Sequence, residues 1–187
     1  MFRPLAIIMV LAAMPVSSHA DTFGVASGHY TIQQSSHIAF TVSQVGGGGL
    51  GGSFGEFTGN LELDAQNLSR SSVSFRLRPA SVDAKQSRIT DFLKSSAVFD
   101  VQDYPVLTFE STRITQTGPR TARIDGMLTA RGKTHGETFF AALVSNDART
   151  VTFHVTGDVL RSPYGMDVGT PIYSNVVKFE MNLRGAK

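Results

Sequence analysis

The chain has 187 residues, of which 41% are hydrophobic and 17% charged, with a formal net charge of +2 and no cysteine. With Lys and Arg scattered rather than clustered, it lacks the basic stripe of a nucleic-acid-binding surface. The missing cysteine excludes disulfides, thiolate zinc and iron–sulfur sites, and a lipid-modified N-terminal cysteine.

Residues 1–20 read as an export leader. Arg3 gives the positive start, 5–14 an apolar run, and Ser18-His19-Ala20 a small-x-small cleavage site before Asp21. The apolar run is shorter than the roughly 20 residues that a membrane span needs. Cleavage after Ala20 is therefore expected, leaving a soluble, exported domain over 21–187 that is large enough to bury a core. Loss of Arg3 brings its charge from +2 to +1.

The rest reads as short strands with turn punctuation. A strand is expected over 29–33, a turn at Ser35-Ser36, and a second strand in which Ile38, Phe40 and Val42 alternate with polar neighbours. Six glycines come next within 46–52, suggesting a mobile hairpin tip or a pocket rim. Phe54 and Phe57 are out of phase within the extended run to Asp64, which a bulge near Gly55 would explain. Val73, Phe75 and Leu77 form a strand that is apolar on one face. The one helical candidate is 84–95, with Asp83 as its N-cap. The chain then turns at Tyr104-Pro105, where proline forces extended geometry, and enters a strand over 106–117. Further strands are expected at 122–131, 139–144, 151–156 and 177–183, with a long loop over 162–174. The stretch 139–144 is apolar at successive positions, which predicts a strand covered on both faces. Eight or nine strands and one helix indicate an antiparallel sandwich or barrel. Phe40, Phe57, Phe75, Phe109, Phe153 and Phe179 fall on apolar faces, and the rings would either line a slot or fill a core.

The chemical motifs are sparse. Gly46, Gly48 and Gly51 match the spacing of a dinucleotide loop, but the next residues are strand-like, with no helix to face a pyrophosphate. No cofactor is expected. His29, His37, His135 and His154 are not spaced as metal ligands, and no G-x-S-x-G elbow marks a nucleophile. Asp100 and Asp103 read as turn residues. Arg161, at the entrance to the long loop, would form a surface salt bridge, tie down the loop or hold a polar head, with Tyr164 beside it.

Several segments together carry a resemblance: Ile38-Ala39-Phe40-Thr41-Val42, Gly52-Ser53-Phe54-Gly55-Glu56-Phe57-Thr58-Gly59, Asp91-Phe92-Leu93-Lys94-Ser95, Tyr104-Pro105, Leu128-Thr129-Ala130-Arg131-Gly132-Lys133-Thr134 and Arg161-Ser162-Pro163-Tyr164-Gly165-Met166. In this order and spacing the chain resembles the YceI-like family of exported lipid-binding proteins. The resemblance implies an all-β, lipocalin-like antiparallel barrel of about eight strands with a short helical cap. It also implies a long-chain isoprenoid or similar amphiphilic lipid as ligand, a periplasmic location, membrane contact by transient exchange, and a possible homodimer. Members often carry His where this chain has Gln44. On this reading Phe40, Phe57, Phe75, Phe109, Phe153 and Phe179 line the cavity, Phe92 and Phe99 belong to the cap, and Arg161 and Tyr164 meet the polar head. An enzyme acting on a lipid or quinone, and a protein-binding module with a filled barrel, are the competing functions.

Overall fold

The computed structural model describes Phe23 and residues 26–187; the expected leader lies outside them. Among the described residues eleven strands run in chain order: β1 (Gly28–Ile32), β2 (His37–Ser43), β3 (Gly49–Phe54), β4 (Phe57–Leu63), β5 (Ser72–Leu77), β6 (Val82–Asp83), β7 (Leu107–Gly118), β8 (Thr121–Ala130), β9 (Lys133–Asn146), β10 (Thr150–Leu160) and β11 (Val176–Ala186). All pairings are antiparallel, and β1 closes the sheet onto β11.

The register reduces eleven segments to eight arms. β11 pairs with β1 at Ile32–Gly185 and with β2 at His37–Asn182, so β1 and β2 run along one neighbour as one interrupted arm. In the same way β3 and β4 face β2 and β1, and β5 and β6 face β4 and β3. The result is a closed up-and-down barrel of eight arms, which leaves no long sheet edge unpaired. The first three arms break at one level, at 33–36, 55–56 and 78–81, and cross-bonds stitch the gaps. Gln34 Nε2 donates to the Phe57 carbonyl at 2.6 Å, Arg78 N to the Glu56 carbonyl at 2.9 Å and Gly55 N to the Ser81 carbonyl at 3.3 Å. The expected bulge near Gly55 is one of these breaks.

Alternation sets which residues face inward. In β4 and β10 every second side chain is buried over most of the strand, as a sheet wetted on one side requires. Two inward glycines matter. A Cβ on Gly126 would collide with the Phe109 ring, and one on Gly157 with the Phe139 ring, so each seats an aromatic side chain against the wall.

Two expectations are corrected here. The helix, α1 (Ser87–Lys94), is shorter than 84–95, and Asp83 does not cap it. Asp83 ends β6, where its carboxylate accepts from Lys85 N at 2.8 Å, a local turn that competes with helix. The stretch 139–144 is not covered on both faces: Phe139 and Ala141 point inward, whereas Phe140 is 54% and Val144 56% exposed on the outer wall. A run of apolar residues alone could not distinguish a doubly covered strand from one with an apolar outer face.

A cap closes one end, called the upper end here. Leu93 of α1 is buried under it, and Ser95 stops the helix by donating through N to the Asp91 carbonyl and through Oγ to that of Phe92. Arg131 binds this cap to the long loop, donating to the carbonyls of Ser96 (3.0 Å) and Gly165 (2.8 Å) and lying 3.9 Å from the Asp100 carboxylate. The lower end is closed by turns at 64–71, 119–120 and 147–149.

Candidate lipid-binding cavity

Among the described residues two voids lie in the interior, one above the other. The lower chamber, about 150 Å³, is walled by side chains of all eight arms, and Thr108 is its one polar lining residue. The upper chamber, about 160 Å³, lies beneath α1 and the loop after β10. Leu107, Leu128 and Phe179 line both, and form a waist between them. An apolar cavity near 150 Å³ stays dry and accepts a benzene-sized guest. By that measure the two chambers together hold on the order of a dozen carbons before any side chain moves.

Of the aromatic residues expected at the site, Phe75, Phe109 and Phe153 line the lower chamber, Phe40, Phe92 and Phe99 the upper, and Phe179 both. Phe57 lines neither; it stacks on Phe75 with ring centres 5.7 Å apart. Phe92 is 42% exposed on the upper rim, so that chamber opens beside α1. Three further phenylalanine rings belong to the lining. Phe139 meets Phe109 edge-on at 5.1 Å, Phe54 sits 5.3 Å from Phe40, and Phe23 stacks on Phe153 at 6.4 Å. Phe139 was hidden by the doubly apolar run and Phe54 by the break in its arm. Phe23 precedes every strand, so no periodicity marks it.

Arg161 is 8% exposed and makes no surface salt bridge; its fork is spent on the loop after β10. It donates through Nε to the Ser174 carbonyl (2.9 Å), through one terminal nitrogen to Met166 and Val168, and through the other to Tyr173 (3.2 Å). Burial lowers its pKa, with Asp167 opposing, but a guanidinium stays charged in proteins. Four carbonyl acceptors compensate that charge in place of a carboxylate. Tyr164 is buried beside it and donates to Glu137 Oε1 at 2.8 Å. Burial and the Glu137 carboxylate push the phenol well above its ordinary value. Both groups expected to meet a polar head line the upper chamber, and each also has protein partners.

Gln44 is exposed and absent from both linings. Its backbone pairs with Tyr173, and Val45 N donates to the Ile172 carbonyl at 2.9 Å, which ties the glycine-rich tip to the loop. That tip forms part of the upper rim, and Gly46, Gly47 and Gly48 all adopt positive φ there. Among the described residues no cluster of His, Asp or Glu is arranged to hold a metal ion.

The family model of the YceI-like domain matches residues 30–184, nearly all of the barrel. The chain belongs to the YceI-like family. Among curated relatives, a UPF0312 protein of Ectopseudomonas mendocina is 37% identical over 101 residues, and one of Pseudomonas putida is 31% identical over 118. The matches cover 54% and 62% of this chain, and 53% and 62% of those proteins. Thus the chain spans between about half and three-fifths of the length of these relatives. The YceI-like barrel recurs in solved structures. BcnA of Burkholderia cenocepacia superposes with a TM-score of 0.76 at 23% identity, covering 82% of this chain and 98% of that one. A polyisoprenoid binding domain from Saccharophagus degradans gives 0.69 at 12% identity, covering 84% and 97%. At these identities the likeness establishes a shared fold.

Proposed function

We propose that this YceI-like protein is exported to the periplasm and carries the tail of a long-chain isoprenoid or similar amphiphile, as a binding protein rather than a catalyst. One observation carries the reading: a two-chambered interior with almost no polar lining opens beside an amphipathic cap helix. Such a space attracts hydrocarbon and offers water little to bond. The polyisoprenoid binding domain with the same fold supports an isoprenoid as the tail.

The energetics favour exchange over permanent capture. At about 0.8 kcal/mol per buried methylene, a dozen carbons gain about 10 kcal/mol of gross transfer energy from water. A tail leaving a bilayer is already out of water and gains far less. The head group stays at the upper rim, since Arg161 and Tyr164 are engaged within the fold. Exposed Phe92, Val168, Ile172 and Val45 on the rim elements place apolar surface where a membrane would hand over its lipid.

The test is mass spectrometry of lipid extracted from the purified protein, with uptake of a fluorescent prenyl probe alongside. A recurrent amphiphile and saturable uptake support the reading. Extracts free of amphiphile, together with no uptake of the probe, refute it.

A further inference from the structure

The wall of the lower chamber comes from barrel strands, with two exceptions, Phe23 and Leu68. Leu68 sits in the 64–71 turn. Phe23 comes from the segment ahead of β1, is 2% exposed, and lies flat against Phe153. Turn and side-chain bonds tie the described residues of that segment to the barrel. Ala26 N donates to the Phe23 carbonyl at 2.8 Å, the buried Tyr30 hydroxyl donates to the Ala26 carbonyl at 2.8 Å, Lys187 Nζ reaches the Ser27 carbonyl at 2.8 Å, and Ser27 Oγ accepts from Ala65 N at 2.9 Å. The strand walls, by contrast, are fixed by antiparallel ladders to neighbours on both sides.

We infer that Phe23 is the floor of the cavity and sets how long a tail this protein accepts. The inference rests on the carrier reading. A tail entering from the upper rim passes the waist of Leu107, Leu128 and Phe179 and fills the lower chamber, where its far end meets Phe23 and Leu68. Each methylene beyond that point has to displace the ring or stay outside. Phe23 is the part of the lining that the fold can spare, because no strand hydrogen bond depends on it. Its removal lengthens the space without dismantling the wall.

The test measures affinity for geraniol, farnesol and geranylgeraniol, one isoprene unit apart, by displacement of a fluorescent naphthalenesulfonate probe from the purified protein. The native protein should gain affinity from geraniol to farnesol and then level off. In Phe23→Ala, geranylgeraniol should bind about tenfold more tightly than to the native form, the equivalent of burying about two further methylenes, and geraniol should be unaffected. Phe23→Trp should weaken geranylgeraniol by about tenfold in turn. Tyr30→Phe keeps the ring and removes only the bond to Ala26, so it should shift the preference in the same direction as Phe23→Ala by a smaller factor; it decides the matter should Phe23→Ala fail to fold by circular dichroism. An unchanged order of affinities for the three prenols in folded variants overturns the floor assignment while leaving the carrier intact. A native protein that binds no prenol overturns both.

Discussion

Replacing Phe179 by alanine tests whether the waist gates the cavity. Phe179 stands between the chambers, 6.4 Å from the ring centres of both Phe40 and Phe139. Burying a phenylalanine and then deleting it costs about 3–5 kcal/mol when the surroundings cannot collapse. Phe179 already faces a void above and below, so it has fewer contacts to lose, and about 3 kcal/mol is expected. For a domain of this size that lowers the thermal midpoint by roughly 6–12 °C. The two chambers merge, and a tail no longer has to push a ring aside to reach the lower one. Stopped-flow uptake of farnesol should therefore be faster in Phe179→Ala than in the native protein, and saturating farnesol should recover more of the midpoint than in the native form. A variant that loses the expected stability but takes up farnesol at the native rate, or more slowly, would show that Leu107, Leu128 and Phe179 do not constrict the path.

Arg161→Met strips the donors from four carbonyls; partial rotation of the loop to water limits the cost to about 3 kcal/mol, and cleavage of 162–175 by a protease should accelerate. Arg161→Lys should behave nearly as badly, because an ammonium cannot span the four acceptors; native protease resistance in that variant would contradict the role of the fork. Tyr164 has its pKa raised in the folded state, so its contribution is complete below the ordinary phenol value of 10.0 and is lost as pH climbs toward the raised one. Urea unfolding should show native stability falling by up to about 1.4 kcal/mol per pH unit above that value, with a shallower fall in Tyr164→Phe. Phe92→Ser, at a rim position 42% exposed, should change stability by under about 1 kcal/mol yet slow the transfer of a fluorescent prenol from phospholipid vesicles; an unchanged transfer rate would remove Phe92 from the path.

Much of the wall could be read from alternation alone. The Val73, Phe75, Leu77 strand and the 151–156 strand lie where their period of two places them. The arm count was harder, because three arms are each cut in two, and a break in the hydrogen-bond ladder looks like a turn in one dimension. The resemblance to YceI-like proteins, more than periodicity, separated barrel from sandwich. For the site, the inward rings came from strand parity, and parity failed where it had no purchase: at Phe139, inside a doubly apolar run, and at Phe23, outside every strand. Phe57 obeyed parity yet spent its ring on Phe75. The loop-tying role of Arg161 was among its expected uses, but spacing could not name its acceptors, which are carbonyls up to thirteen residues away on a loop with no repeating pattern.

Empty space inside a folded chain also has a mechanical consequence. Unfolding eliminates internal voids, so the denatured form occupies less volume, and compression favours it in proportion to the void lost. The unliganded barrel, with a hollow on each side of Leu107, Leu128 and Phe179, should yield to hydrostatic pressure earlier than a solid β-protein of equal thermal stability. A guest that fills those hollows would make it less compressible as well as more stable.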